Sequence, residues 1–350
     1  MFRQLLNEME IAVEIEGRSA LLVKDGRYRK DEKELWAGGD KTLKNGMPAM
    51  AFISRSPVSK LKEVLKSCAG GESARLGELL YYVPGSSVRG AWRSHLERAL
   101  RSLDGPPRVC DPLSALSEDG ENPPELPDYV SCSSVLVQKD EDRPKQPYSV
   151  SCPVCRMFGN TALGSRVAFS DGELKAGEPA LIDGIAISRF TGSVAKGANY
   201  KVLALRKAKF GMTLRLRNFE LWQAGLLAHL FEDLREGRVP LGSGKNRGFG
   251  QVRAVATRIA VTEYGRAGED GELRGVAEHA GFGTEFQRRY GIVAGAPAKV
   301  NLAVVEKTLW RRTRATTDAS EFWQAVQPCF GVDVWERFPK LESRRALAEA

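Results

Sequence analysis

A chain of 350 residues that is 42% hydrophobic and 27% charged can bury one large core or two modest ones, and so reads as a soluble globular protein. No apolar run approaches the roughly 18 residues of a membrane span, and Met1 to Glu16 lacks the uninterrupted apolar core of a signal peptide; the expected location is cytoplasmic, with no membrane partner. The formal net charge of +8 favours an acidic partner such as nucleic acid.

From the N-terminus, Met9 to Leu22 reads as a strand: Met9, Ile11, Val13 and Ile15 alternate with Glu10, Ala12, Glu14 and Glu16. Lys24-Asp25-Gly26 is a turn, and Arg27 to Lys44 is a charged loop that is solvated or ordered by a partner. Met50 to Ile53 is a short apolar run, and Val58 to Cys68 a short helix. Tyr82-Val83-Pro84-Gly85-Ser86-Ser87-Val88-Arg89-Gly90 then turns a strand into a helix, with Ser86 or Ser87 as the expected cap. Val88, Ala91, Trp92, Leu96, Ala99, Leu100 and Leu103 line one face of that helix. Its first turns, with Arg89 and Arg93, suit a phosphate; an ordinary capped core helix with solvated arginines accounts for the same residues.

Six cysteines without an export signal argue for reduced thiols or metal rather than disulfides. Cys110, Cys132, Cys152 and Cys155 lie in one segment, the last two as Cys-Pro-Val-Cys, whereas Cys68 and Cys329 stand apart. Four such thiolates complete a structural zinc tetrahedron with no open position for catalysis; buried, unliganded thiols are the alternative. Asp104 to Ser151 is rich in Pro, Asp, Glu and Ser, and has too few apolar residues to order itself without such a staple. Ser165 to Phe169 starts another strand.

Between Gly184 and Lys209, Arg189, Lys196, Lys201, Arg206, Lys207 and Lys209 face no Asp or Glu within the segment. The pattern is two extended arms around a tip at Gly192 and Gly197. It is either a solvated surface hairpin or one that follows a sugar-phosphate backbone and stacks bases on Phe190 and Tyr200. Asn218 is the expected cap of a core helix carrying Phe219, Trp222, Leu226, Leu227, Leu230 and Leu234, which ends near Gly237. Gly242 to Gly250 holds four glycines with Lys245 and Arg247, so its backbone can approach a ligand closely. It is no Walker loop, since Asn246 follows Lys245 and Val239 stands where a glycine is required, and Gln251 to Ile259 alternates like a strand.

Five of these runs, in order, resemble the RAMP superfamily: Tyr-Val-Pro-Gly-Ser-Ser-Val-Arg-Gly at 82–90, Cys-Pro-Val-Cys-Arg-Met-Phe-Gly at 152–159, Ile-Ser-Arg-Phe-Thr-Gly at 187–192, Asn-Phe-Glu-Leu-Trp-Gln at 218–223 and Gly-Ser-Gly-Lys-Asn-Arg-Gly-Phe-Gly at 242–250. More narrowly, the chain is similar to the backbone subunit, the seventh Cas family, of class 1 CRISPR effector complexes of type III or type IV. The resemblance spans roughly residues 9–260. It implies an α+β fold, a single domain over 1–350 with a modified RNA-recognition-motif (ferredoxin-like) palm. A zinc-binding finger would be inserted at 104–160, a thumb hairpin would span 184–209, and a C-terminal extension would occupy 260–350. It implies a chain that polymerises in copies along a CRISPR RNA, beside other Cas subunits, and offers the guide for pairing with target nucleic acid. The RNA-binding set would be Arg89, Arg93, Arg156, Arg189, Phe190, Lys196, Lys201, Lys245, Asn246 and Arg247, with zinc on Cys110, Cys132, Cys152 and Cys155.

Type III relatives cleave target RNA with an aspartate in a loop ahead of a Met-x-Phe-Val run. Here the comparable run is Ala49-Met50-Ala51-Phe52-Ile53, with alanine at that position; Asp31 and Asp40 lie upstream as shifted substitutes. The expectation is a type IV-like subunit without cleavage, the alternative a metal-dependent endoribonuclease of type III. A zinc-stapled interaction module with no RNA role is the third reading. His95, His229 and His279 sit in no nucleophile signature and are expected to be structural. Trp310 to Arg314 is a basic cluster, and Trp323, Phe330 and Trp335 belong either to the core or to a docking surface.

Overall fold

The computed structural model describes residues 4–31, 48–69, 73–114, 129–136, 147–185, 187–194, 200–265, 271–279, 283–295 and 298–341. The first strand, β1 (Asn7–Gly17), buries Met9, Ile11, Val13 and Ile15 and turns its glutamates to the other face, as its period of two requires. It ends short of Leu22 because the backbone N–H groups of Arg18 and Ser19 both donate to Gln251 O, at 2.8 and 3.2 Å, and lead the chain off the sheet. Helices α1 (Gly26–Asp31) and α2 (Val58–Ala69) precede the two-residue strand β2 (Tyr82–Val83).

Helix α3 (Gly85–Arg101) starts ahead of the expected Val88. Neither serine caps it; both lie within its first turn, and the Gly85 N–H donates to Asp171 Oδ1 at 3.0 Å. A Cβ on Gly85 would lie 2.5 Å from Ser170 O, so this corner demands glycine. Three short helices follow, α4 (Cys132–Leu136), α5 (Pro147–Val150) and α6 (Pro153–Phe158), then β3 (Val167–Phe169). Strands β4 (Gly172–Gly184) and β5 (Tyr200–Arg217) form a long antiparallel hairpin closed at Gly184 and Tyr200, so its arms run well beyond 184–209.

Helix α7 (Leu221–Glu236) is capped by a reciprocal pair, Glu220 with Gln223, and not by Asn218. Asn218 has a left-handed backbone, φ 47°, and its side chain instead accepts from Leu6 N (2.8 Å) and donates to Gln4 O (3.0 Å). The helix stops at Gly237, φ 80°, as its sequence predicts. Strand β6 (Val252–Tyr264) follows. The chain order β1-α3-β4-β5-α7-β6 and the antiparallel sheet order β6-β1-β5-β4 are those of a βαββαβ unit, consistent with an RNA-recognition-motif-like palm. Among the described residues no helix is long and apolar enough to cross a membrane.

One face of the sheet carries α3 and α7, which meet where the Trp92 ring stands edge-on to Phe231 (5.6 Å) and to Phe169 (5.3 Å). The other face is a charged ladder: Arg217 pairs with Glu8, Arg215 with Glu10 (2.8 Å) and Lys209 with Glu16 (3.4 Å) across β5 and β1. Downstream, β7 (Glu272–Leu273) pairs with β8 (Ala298–Lys299), and α8 (Thr284–Tyr290) lies between them in sequence. Strand β9 (Ala303–Lys307) pairs with β10 (Arg311–Thr316), which in turn extends the sheet from β6.

Helices α9 (Ala319–Val326) and α10 (Val332–Glu336) resolve the two readings of the aromatic tail in favour of core for most of its rings. Phe338 stands edge-on to buried Trp222 at 4.9 Å, Phe330 lies 6.4 Å from the same ring, and Trp323 stacks on Phe231 at 4.8 Å. Phe338→Ala is therefore expected to lower stability by about 3–5 kcal/mol, read as a shift in the denaturant midpoint with the slope unchanged.

Candidate metal centre and nucleic-acid interface

The four cysteines that the spacing singles out converge. Their Sγ atoms all lie within 4.8 Å of one another, with Cys110 at 3.6 Å from Cys152 and 3.7 Å from Cys155, and all four are buried. A tetrahedral thiolate site with metal–sulfur bonds of about 2.3 Å requires sulfur–sulfur separations of about 3.8 Å, so the donor set fits. Backbone N–H groups already point at the sulfurs: Cys152 N donates to Cys132 Sγ (3.2 Å) and Cys155 N to Cys152 Sγ (3.4 Å). Crowding pushes the Cys110 thiol well up, chiefly through Cys132, and the Cys155 thiol likewise through Cys110. Burial raises the Cys132 thiol, yet Cys110 draws it below its usual value. Four thiolates share this volume only with a cation among them. Among the described residues no other cluster of this kind is found.

The arginines expected on RNA divide sharply. Arg156 is the clearest correction: it is buried, with its guanidinium donating to Ser151 O (2.9 Å), Gly291 O (2.6 Å) and Ser149 O (2.8 Å) between the rings of Tyr148 and Phe338. Nothing of it is left for a phosphate. Arg89 donates to Phe158 O, and Arg93 to Glu97 (2.8 Å), Gly159 O (3.0 Å) and Cys155 Sγ (3.4 Å), so both face the cysteine-bearing turn. The N-terminus of α3, with Asp171 already on it, is no open anion site. Tyr148 OH donates to Glu220, and Arg166 lies 4.1 Å over the Tyr148 ring, which ties this insertion to the cap of α7.

The remaining cations gather at one end of the sheet, where backbone bonds stitch three loops to the base of the β4–β5 hairpin. Leu21 exchanges both hydrogen bonds with Leu205 (2.8 and 3.0 Å), Ala49 N donates to Lys201 O (2.7 Å), and Ser243 N donates to Leu22 O (2.7 Å). Lys245, Asn246 and Arg247 form an exposed 3-10 turn in the glycine loop. Arg247 donates to Tyr200 OH (2.9 Å), whose ring lies over Gly184. Tyr200 is thus packed against its own chain and half-buried. The glycines likewise serve close approach to protein: a Cβ on Gly242 would lie 2.4 Å from Leu22 O, and one on Gly250 2.3 Å from Leu241 O.

The hairpin tip is a compact turn, with Ile187 bridged to Val194 and Gly192 N donating to Ser188 O (2.9 Å). Arg189 and Phe190 crown it, Phe190 with 101% of its surface exposed, an arrangement that buries no apolar area in the free protein. Lys196 lies outside the described residues. Lys201 is exposed and only 3.9 Å from Asp183, while Lys207 and Lys209 find carboxylates on neighbouring strands, so the cationic segment is partly balanced from outside itself.

A family model of the RAMP superfamily matches residues 69–253, more than half of the chain. The chain belongs to the RAMP superfamily. No curated protein matches it. In this RAMP protein the matched span runs from the end of α2 to the start of β6, and so takes in the four clustered cysteines, the hairpin and the glycine loop. Membership supports a CRISPR-associated, RNA-binding role.

Two residues of the basic end were not singled out in the sequence: Arg18 and Lys24, exposed, on the loop that the glycine turn grips; Arg206, exposed on β5, entered only as a count of charge. Their signal was weak, because only the backbone bonds of Arg18, Ala20 and Leu22 with Gln251, Gly250 and Ser243 bring that loop against the glycine turn. Gly250→Ala is expected to cost at least about 2 kcal/mol, since it adds a carbonyl clash to a φ of +80°. Gly248→Ala, with the same φ and open space at its Cβ, costs about 1–2 kcal/mol; paired chemical denaturation curves check the order.

Proposed function

We propose that this chain is a CRISPR RNA-binding backbone subunit, type IV-like or type III-like, of a class 1 effector complex. Copies polymerise along the guide beside other Cas subunits and hold it for pairing with target nucleic acid, without cleaving. The β4–β5 hairpin serves as thumb, the insertion at 104–160 as a zinc-stapled finger and the βαββαβ unit as palm. One juxtaposition carries the reading: in a RAMP chain, the fully exposed Phe190 and Arg189 crown a hairpin whose base is stitched to the loop of Lys245, Asn246 and Arg247. Arg18, Lys24, Lys201 and Arg206 extend that cationic end.

The open face of the sheet favours this end over the usual RNA-recognition mode, because the positions of β1, β5 and β6 paired with one another there are Glu, Arg, Lys, Thr, Gly, Ala and Val, and the rings on that side stand at its margins, Tyr82 on β2 under Arg55 and Tyr264 at the end of β6. RNA is held through its phosphates, and sequence is read by the guide. Absence of cleavage is favoured by Ala49, whose backbone is fixed to β5, and by Asp25 upstream of it. Burial pushes the Asp25 carboxyl up, but hydrogen bonds from Arg27 N, Nε and Nη2 (2.9, 3.1 and 2.7 Å) outweigh it and hold the group below its usual range, engaged rather than free for a metal. Asp31 ends α1, and Asp40 lies outside the described residues.

Guide RNA affinity, measured by filter binding over a salt series, is expected to fall steeply with ionic strength. The combined Arg189→Ala, Lys245→Ala and Arg247→Ala variant flattens the log–log slope by about 2, at about 0.7 per phosphate contact on single strands. An unchanged slope would remove the basic end as the RNA site. With magnesium and complementary RNA, the assembled complex is expected to leave the target intact; regularly spaced products that vanish in Asp31→Ala would instead make it an endoribonuclease.

A further inference from the structure

Helix α3 carries a straight row, Arg89, Arg93, Glu97 and Arg101, spaced four residues apart along one side. The arginines of the row reach both cysteine-bearing segments. Arg101 donates to the backbone carbonyl of Cys110 and to that of Val109 (3.4 Å), and so grips the first cysteine-bearing segment. Arg89 and Arg93 donate to the carbonyls of Phe158 and Gly159, at the end of the turn that carries Cys152 and Cys155. Only Arg93 touches a sulfur, Cys155 Sγ, at 3.4 Å, and Glu97 fixes its guanidinium from the far side at 2.8 Å. Gly159, φ +79°, is required where the second segment leaves, since a Cβ there would lie 2.7 Å from Leu163 O.

We infer that this row is the outer shell of the metal centre, with Arg93 its charge partner, and that through it the metal fixes helix α3 of the palm. The inference rests on the zinc reading of the four cysteines. A divalent ion on four thiolates carries a net charge of −2, and in a buried site that charge requires a cation or N–H donors close by. Arg93 supplies both, and its side chain is only 18% exposed, so the attraction is little screened. The row has no counterpart role on RNA, because its donors are turned to protein carbonyls and sulfur. Arg93 is thus a positioning residue for the metal, whereas Arg89 and Arg101 hold the two ligand-bearing segments at the distance the sulfurs need.

The test uses the full chain. Zinc content is measured first, and is expected to be one per chain; a protein that purifies without zinc overturns the metal reading and this inference together. Arg93→Met is then expected to lose zinc to a chelating dye 10- to 100-fold faster than the wild type, the usual effect of removing an outer-shell partner. Its guide RNA affinity and salt slope stay within twofold. In cobalt-substituted protein, the sulfur-to-metal charge-transfer band shifts in Arg93→Met, where the sulfur loses its N–H donor, but not in Arg89→Met, since Arg89 meets the carbonyl and ring of Phe158 and no sulfur. Arg93→Lys keeps the charge without the three-way fork, folds as the wild type does, and falls between the two in release rate. Zinc present but released at the wild-type rate, with an unmoved band, overturns the inference alone. So does a fall in RNA affinity with zinc retained, which would return Arg93 to the RNA face.

Discussion

Strand β1 is paired along its length on both sides, and its residues are sorted with a period of two. Everything else follows from that division. The apolar half fixes where α3 and α7 lie, because only a helix pair brings enough apolar surface to cover Met9, Ile11, Val13 and Ile15. The acidic half fixes the composition of the strands beside it: Glu8, Glu10 and Glu16 each stand opposite an Arg or Lys of β5. Each exposed pair contributes only about 0.2–1 kcal/mol, but a ladder of them leaves the open face close to neutral and concentrates the uncompensated cations at the sheet's end.

That separation underlies the proposed function. The face that stacks bases in an RNA-recognition motif is here crossed by charge pairs, whereas the end beyond Gly17 collects three loops and a hairpin chiefly through backbone bonds. Backbone bonds leave side chains free, so Lys245 and Arg18 can point to solvent from a rigid platform. The insertion works in the opposite way. Arg93 and Arg101 of α3 are turned inward to it by the carbonyls of Gly159 and Cys110 and by the Cys155 sulfur.

Much of this was legible in residue order. Period-two and period-3.6 patterns located β1, α3 and α7, and cysteine spacing alone brought four thiols together across 46 positions of chain. The misses have physical causes. An arginine in a sequence carries no sign of direction, so nothing in residue order marks Arg156 as buried among the carbonyls of residues 149–151, or turns Arg89 and Arg93 towards α6. The caps differ because carboxyls won: Asp171, distant in sequence, reached α3, and Glu220, next to the helix start, with its own Gln223 displaced Asn218 at α7. Glycine-rich loops were read as approach to a ligand, whereas at Gly242 and Gly250 the close neighbour is the chain itself.

The region beyond the family match has a consequence for how the protein can be divided. Strand β10 occupies the free side of β6, and the side chains of Phe330 and Phe338 close over Trp222 from outside the matched span. A chain cut after β6 would present a long bare strand edge and an uncovered indole on the helix layer, both adhesive in water. Strand β10 with Phe330 and Phe338 therefore belongs to the palm's cover, and a piece that keeps β6 paired and Trp222 out of water extends at least to Phe338.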